Sequence, residues 1–114
     1  MMASPDDANA DGQTAERLAA LAHPTRLRIL RELSDQPACC CKEVVARLDL
    51  AQSTVSQHLK VLVAAGLVRY TPDKQRSHYS LDRVALKKLS GALQGFVDCC
   101  CTADTCQNPG KPLA

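Results

Sequence analysis

Residues 53–70 read STVSQHLKVLVAAGLVRY, and the hydrophobic period changes once within them. Val55, Leu59, Leu62 and Val63 fall at i, i+4, i+7 and i+8, the spacing that lines one face of an α-helix, so a helix is expected over about Gln52 to Ala65. Gly66 stands where a left-handed C-cap is wanted. Beyond it, LVRY from Leu67 to Tyr70 alternates like a strand. The other face of the helix carries Thr54, Gln57 and Lys60, with Ser53 and Ser56 at its start. That face is short, neutral to basic, and rich in side chains that both donate and accept hydrogen bonds.

Working outward, SHYSL at 77–81 alternates like a second strand, and TPDKQR between the two supplies turn formers at Pro72 and Asp73. The result is a hairpin with a basic tip. A long helix follows from about Asp82, with Leu86, Leu89, Leu93, Phe96 and Val97 as its apolar stripe and Gly91 and Gly95 weakening its regularity. Upstream, a short helix at about Cys41 to Leu48 presents Val44, Val45 and Leu48, and Asp49-Leu50-Ala51 breaks the chain tightly before the next. Earlier still, Pro24 fits the first turn of a helix carrying Leu27, Ile29, Leu30 and Leu33, and Ser34 to Pro37 ends it. Leu18, Ala19, Leu21 and Ala22 mark a first helix from Thr14. Residues 1–13 are polar and rich in Ala, Asp and Asn, and are expected to be a disordered leader. This gives one domain over 14–101 and a cysteine-containing tail over 102–114.

The chain has 114 residues, enough for a single core, and only 3% aromatic residues with no Trp. Leu, Val and Ala must then fill the interior, which favours packed helices: a mainly α fold with a small β-hairpin. Net charge is only +2, but residues 52–83 hold Lys60, Arg69, Lys74, Arg76 and Arg83 against Asp73 and Asp82, so the middle of the chain is basic. No secretory signal and no membrane-length apolar run is found, so a cytoplasmic location is expected. Seven cysteines cannot all pair within one chain, and cytosolic thiols stay reduced. The thiols are therefore read as ligands, sensors or packed residues.

Helix, helix, short helix, tight turn, polar-faced helix, basic hairpin, helix is the order of a winged helix-turn-helix. In that arrangement the second helix of the motif enters the DNA major groove and the hairpin tip reaches neighbouring phosphates. Base readout falls to Ser53, Thr54, Ser56, Gln57 and His58, and phosphate contact to Lys60, Lys74, Gln75, Arg76 and His78. Gln pairs with adenine through two hydrogen bonds, which makes Gln57 the leading specificity residue. Against this stands a plainer reading, a helical domain whose basic hairpin touches no DNA. His58, next to Leu59, equally reads as a packed histidine.

HPTRLRILREL at 23–33, STVSQHLKVLVAAGLVRY at 53–70 and SHYSLD at 77–82 resemble the ArsR/SmtB family of metal-responsive repressors, over most of residues 14–98. The resemblance implies a homodimer joined through the first and last helices, here by Leu18, Leu21, Leu89, Leu93 and Phe96. It also implies a palindromic operator bound without metal and released when an inducer binds.

Arsenic-responsive members of that family often carry C-x-C-D-L at the start of the third helix. Cys40-Cys41-Lys42-Glu43-Val44 keeps the first cysteine as Cys40, has Lys42 in place of the second, and Val45 where a third thiol is sometimes found. Lys is no ligand for a soft ion. Cys39 and Cys41 are either substitutes or small packed residues. FVDCCCTADTC, residues 96–106, is the stronger candidate. Cys99, Cys100 and Cys106 resemble the C-C-x5-C pattern with which some arsenic repressors hold As(III) through three thiolates, and Cys101 is an alternate. Neighbouring helical positions diverge by about 100°, so convergence on one ion requires the helix end to unwind. Three sulfurs suit As(III) or Sb(III) as inducer. A fourth ligand from Cys101 or Asp104 suits Cd(II), Pb(II) or Zn(II), and a thiol pair suits oxidant or persulfide. A thiol enzyme is disfavoured by the missing C-x-x-C and βαβ pattern, and a metal buffer would not need the polar helix or the basic hairpin.

Overall fold

The computed structural model describes residues 5–73 and 77–101, with side chains from residue 10 onward. In order it contains α1 (Pro5–Leu21), α2 (Pro24–Ser34), α3 (Cys41–Leu48), α4 (Gln52–Ala64), β1 (Val68–Thr71), β2 (His78–Leu81) and α5 (Arg83–Cys100). This is the expected winged helix-turn-helix order. One boundary differs from the expectation: α1 begins at Pro5, not at Thr14. The polarity of residues 5–13 says that this segment buries little. Yet adding turns to a helix already nucleated by a packed end costs little, and proline fits a first helical turn.

Several helix termini are satisfied locally or by a neighbour. His23 caps α2, its Nδ1 accepting from Thr25 N–H at 3.0 Å, and Pro24 follows in the first turn. Arg83 Nη2 donates to the Ser34 carbonyl at 3.1 Å, so the start of α5 closes the end of α2. Between α3 and α4, Asp49 takes the left-handed conformation with φ 54°, which makes the turn of the motif tight. At the end of α4, Leu67 N–H bonds the Leu62 carbonyl and Gly66 N–H the Val63 carbonyl, both at 3.0 Å, with Gly66 at φ 80°. That double closure needs a left-handed residue, which glycine adopts without penalty.

The hairpin is antiparallel with Val68 opposite Leu81 and Thr71 opposite His78. Cys39 adds a single bridge to it: its N–H and carbonyl pair with the Tyr79 carbonyl and N–H at 2.9 and 2.7 Å, which ties the approach to α3 to β2. Asp82 caps α5 through Ala85 N–H at 3.0 Å and meets Arg69 Nε at 3.2 Å. The Ala85 hydrogen bond and then Arg69 hold its carboxyl below the usual range.

One core joins the elements. Ile29, Leu33, Val44, Val55, Leu59, Leu62 and Leu67 are fully buried, with Ala20 of α1 and Ala85 and Leu89 of α5 at its edge. After Leu89 the core ends. Every residue from Ser90 to Cys101 is exposed, including Leu93, Phe96 and Val97. Among the described residues no helix is long and apolar enough to cross a membrane.

Candidate nucleic-acid interface and thiol sites

Burial of Val55, Leu59 and Leu62 turns the opposite side of α4 outward, and Ser53, Gln57 and Lys60 lie exposed there at i, i+4 and i+7. Thr54 and Ser56 are half-buried at its flanks. Ala51 offers no side-chain cap to α4, so the amides of the first turn remain available to an anion such as a phosphate. The expected reading surface is therefore one continuous strip with donors, acceptors and one cation.

His58 does not join that strip freely. Arg26 Nε donates to its Nδ1 at 3.2 Å, and its ring lies 4.4 Å from that of His23. Burial first, then His23 and Arg26, push its pKa below the ordinary histidine value. Of its two readings, the packed histidine is the one that these contacts favour. On the hairpin, His78 is half-buried in β2, and Tyr70 and Ser77 share a 2.6 Å hydrogen bond just below the tip. Lys74, Gln75 and Arg76 lie outside the described residues.

The two cysteine groups occupy opposite environments. Cys39 and Cys40 are buried and Cys41 is half-buried. Burial pushes the Cys39 and Cys41 thiols up, only partly offset at Cys39 by Arg47, whose Nη1 lies 4.0 Å from its sulfur. Burial thus favours the protonated form of these two thiols, which is a weaker nucleophile than the thiolate. Cys40 occupies the N-cap of α3, with its N–H held by Glu43 Oε1 at 3.1 Å. By contrast, Cys99, Cys100 and Cys101 are all exposed. α5 runs through Cys100 and the backbone leaves the helix only at Cys101, at φ −109° and ψ 47°, so Cys99 and Cys100 stand at neighbouring helical positions that must unwind to converge on one ion. Cys106 and Asp104 lie outside the described residues, and among those described no three His, Cys, Asp or Glu side chains converge on a metal position.

The residues expected at a dimer surface divide. Leu93 and Phe96 are exposed, and Leu18 and Leu21 are half-buried on α1, which packs on α5. Leu89 is 4% exposed and belongs to the core of its own chain, a correction: it lies one turn too early on α5 to face outward. Sequence reasoning missed Arg26. Its partner is 32 residues away, and no local pattern reports such a pairing.

A family model described as "Bacterial regulatory protein, arsR family" matches residues 23–70. The HTH-type transcriptional regulator YgaV of Escherichia coli K12 is 35% identical over 82 residues, 72% of this chain and 83% of that protein. The transcriptional repressor SmtB homolog of Synechocystis is 38% identical over 69 residues, 60% of this chain, which spans about half (52%) of that protein's length. Among solved structures, the homodimeric winged helix-turn-helix DNA-binding domain of Mb0332 from Mycobacterium bovis superposes with a TM-score of 0.68 at 24% identity, over 86% of this chain and 90% of that one.

Proposed function

The chain belongs to the ArsR family of bacterial regulatory proteins, and from that premise we propose that it is a dimeric transcriptional repressor, releasing its operator when As(III) or Sb(III) binds thiolates at the end of α5. The contrast between buried thiols before α3 and exposed thiols closing α5 carries this reading. Soft, three-coordinate As(III) fits a donor set of Cys99, Cys100 and Cys106, with Cys101 as alternate. Closing that chelate works on the helix whose Leu93, Phe96 and Val97 stand ready to pack against a second copy. The dimer reading is supported by the homodimeric state of the Mycobacterium bovis domain. A two-fold dimer presents two α4 helices to half-sites about one helical turn apart, so a change at the α5 contact alters their spacing. A coupling of about 1–3 kcal/mol would weaken operator binding by roughly 5- to 150-fold.

The DNA half of the proposal rests on the exposed strip of α4. Gln57→Ala removes a side chain that carries no packing, so the melting curve stays in place while affinity for the specific operator drops. The loss of a bidentate base contact is worth about 1–3 kcal/mol per half-site. Fluorescence anisotropy against specific and scrambled duplexes measures it. Equal affinity of wild type and Gln57→Ala for the specific duplex would remove α4 from base readout.

The thiol half is read by titrating reactive thiols with a chromogenic disulfide before and after As(III) under anaerobic, reduced conditions. Protection of the C-terminal thiols that Cys100→Ser abolishes is expected. Protection lost only when Cys40 is replaced would move the inducer site to α3. Bridging by mild oxidant in place of protection by As(III) would favour a redox sensor.

A further inference from the structure

We propose that Arg26 is a positioning residue for DNA reading, fastening the end of the dimer helix α1 to His58 on the reading helix α4. The inference rests on the DNA-binding reading of α4 and adds how that helix is held. Arg26 Nη1 donates to the Ala19 carbonyl at 3.1 Å and the Ala20 carbonyl at 3.2 Å, both in the last turn of α1, where the Ala19 carbonyl also accepts from Ala22 N–H at 3.1 Å. Its Nε donates to His58 Nδ1 at 3.2 Å. One planar cation thus joins α1, α2 and α4, and its rigid fork is what lets it hold both directions at once. On α4, His58 sits between exposed Gln57 and fully buried Leu59, so a shift of its ring turns the reading strip.

The link has a protonation requirement. Nδ1 accepts from Arg26 only when it carries no proton, which fixes His58 as the neutral ring protonated on Nε2. The groups that face it are Arg26 on α2 and His23 at the α2 N-cap, whose own Nδ1 accepts from Thr25 N–H. On α1, Glu16 lines the same cleft as Arg26, and on α4 itself Lys60 is exposed on the outer strip. A proton on His58 would therefore set an imidazolium against a guanidinium and remove the acceptor. The depressed His58 pKa agrees in sign: in the folded protein the neutral, linked form persists below the ordinary histidine value and is lost only as pH falls through the lower folded one.

The test compares wild type, Arg26→Gln, Arg26→Lys and His58→Gln by operator affinity, its salt dependence and its pH profile. Both Arg26 variants are expected to bind about 10-fold more weakly at pH 7.5, within the range of ordinary inter-site coupling, with an unchanged salt slope. Wild type should also weaken as pH falls from 7.5 through the depressed His58 pKa, which the imidazole NMR titration locates, and His58→Gln should weaken less, because glutamine accepts from Arg26 without titrating. His23 and His78 are present in both proteins, so the difference reports on His58. A salt slope smaller by about one per protomer, or about two for the dimer, in Arg26→Gln would mean that Arg26 holds a phosphate directly, and would overturn the proposal. So would unchanged affinity, or identical pH profiles for wild type and His58→Gln. Nitrogen NMR of the imidazoles gives a reading independent of DNA: a protonated His58 Nδ1 at pH 7.5 overturns the link even if no promoter fragment is bound, whereas failure of wild type to bind any duplex while the Nδ1 bond is intact overturns the DNA reading alone.

Discussion

Phe96→Glu is expected to leave a folded monomer and to weaken operator binding by roughly 10²- to 10⁴-fold, the range by which linked sites exceed single ones. Phe96 is 59% exposed in the isolated chain, and Leu93 and Val97 are 40% and 43% exposed beside it. None of the three is needed by the core, which ends at Leu89. A charge at position 96 thus costs the single chain little, but it would be buried without a counter-charge between two copies. Sedimentation velocity and anisotropy on one sample check both halves. A Phe96→Glu protein that stays dimeric and binds like wild type would place the dimer contact elsewhere. Leu89→Glu is the informative contrast, because it should unfold the chain outright.

Leu59→Ala carries the other large effect. Leu59 is fully buried at the middle of α4, with Val55 and Leu62 one turn to either side. Truncating a leucine in such a place costs about 2–5 kcal/mol, the lost transfer energy plus the cavity. Total stabilities of domains run to only about 5–15 kcal/mol, so a large share of the folded margin disappears. Urea unfolding should show a lower midpoint at unchanged slope, and DNA binding should fail at temperatures where wild type is active. A loss below about 1 kcal/mol, typical of surface positions, would mean that α4 does not seat through this face. Two residues away on the chain's other face, Gln57→Ala should leave the same curve in place.

Much of the fold was legible because it rests on local period and local punctuation. Val55, Leu59 and Leu62 announce α4, Gly66 its left-handed end, Pro24 the start of α2, and the alternation at 67–70 and 77–81 the two strands of the hairpin. The interface strip followed from the same period, since naming the buried face names the exposed one. What escaped depends on distance along the chain or on a second molecule. The stripe Leu86, Leu89, Leu93, Phe96, Val97 looks uniform in sequence, yet Leu89 closes the core and Phe96 faces out, because only the length of the opposing elements decides where burial stops. The pairing of Cys39 with Tyr79 and of Arg26 with His58 joins residues with no shared local pattern. The helical start at Pro5 was hidden because composition reports how much a segment can bury, and a helix extended from a packed end needs to bury little.

The proposal that thiols on α5 govern DNA binding is tested most directly by anisotropy of a labelled promoter duplex with reduced protein, titrating As(III), Sb(III), Cd(II), Zn(II) and an oxidant in parallel for wild type and Cys100→Ser. Release of wild type by As(III) and Sb(III), roughly 5- to 150-fold in affinity, with Cys100→Ser still bound and unresponsive, is the predicted result. Equal release of both proteins, or release of wild type by oxidant alone, would contradict it.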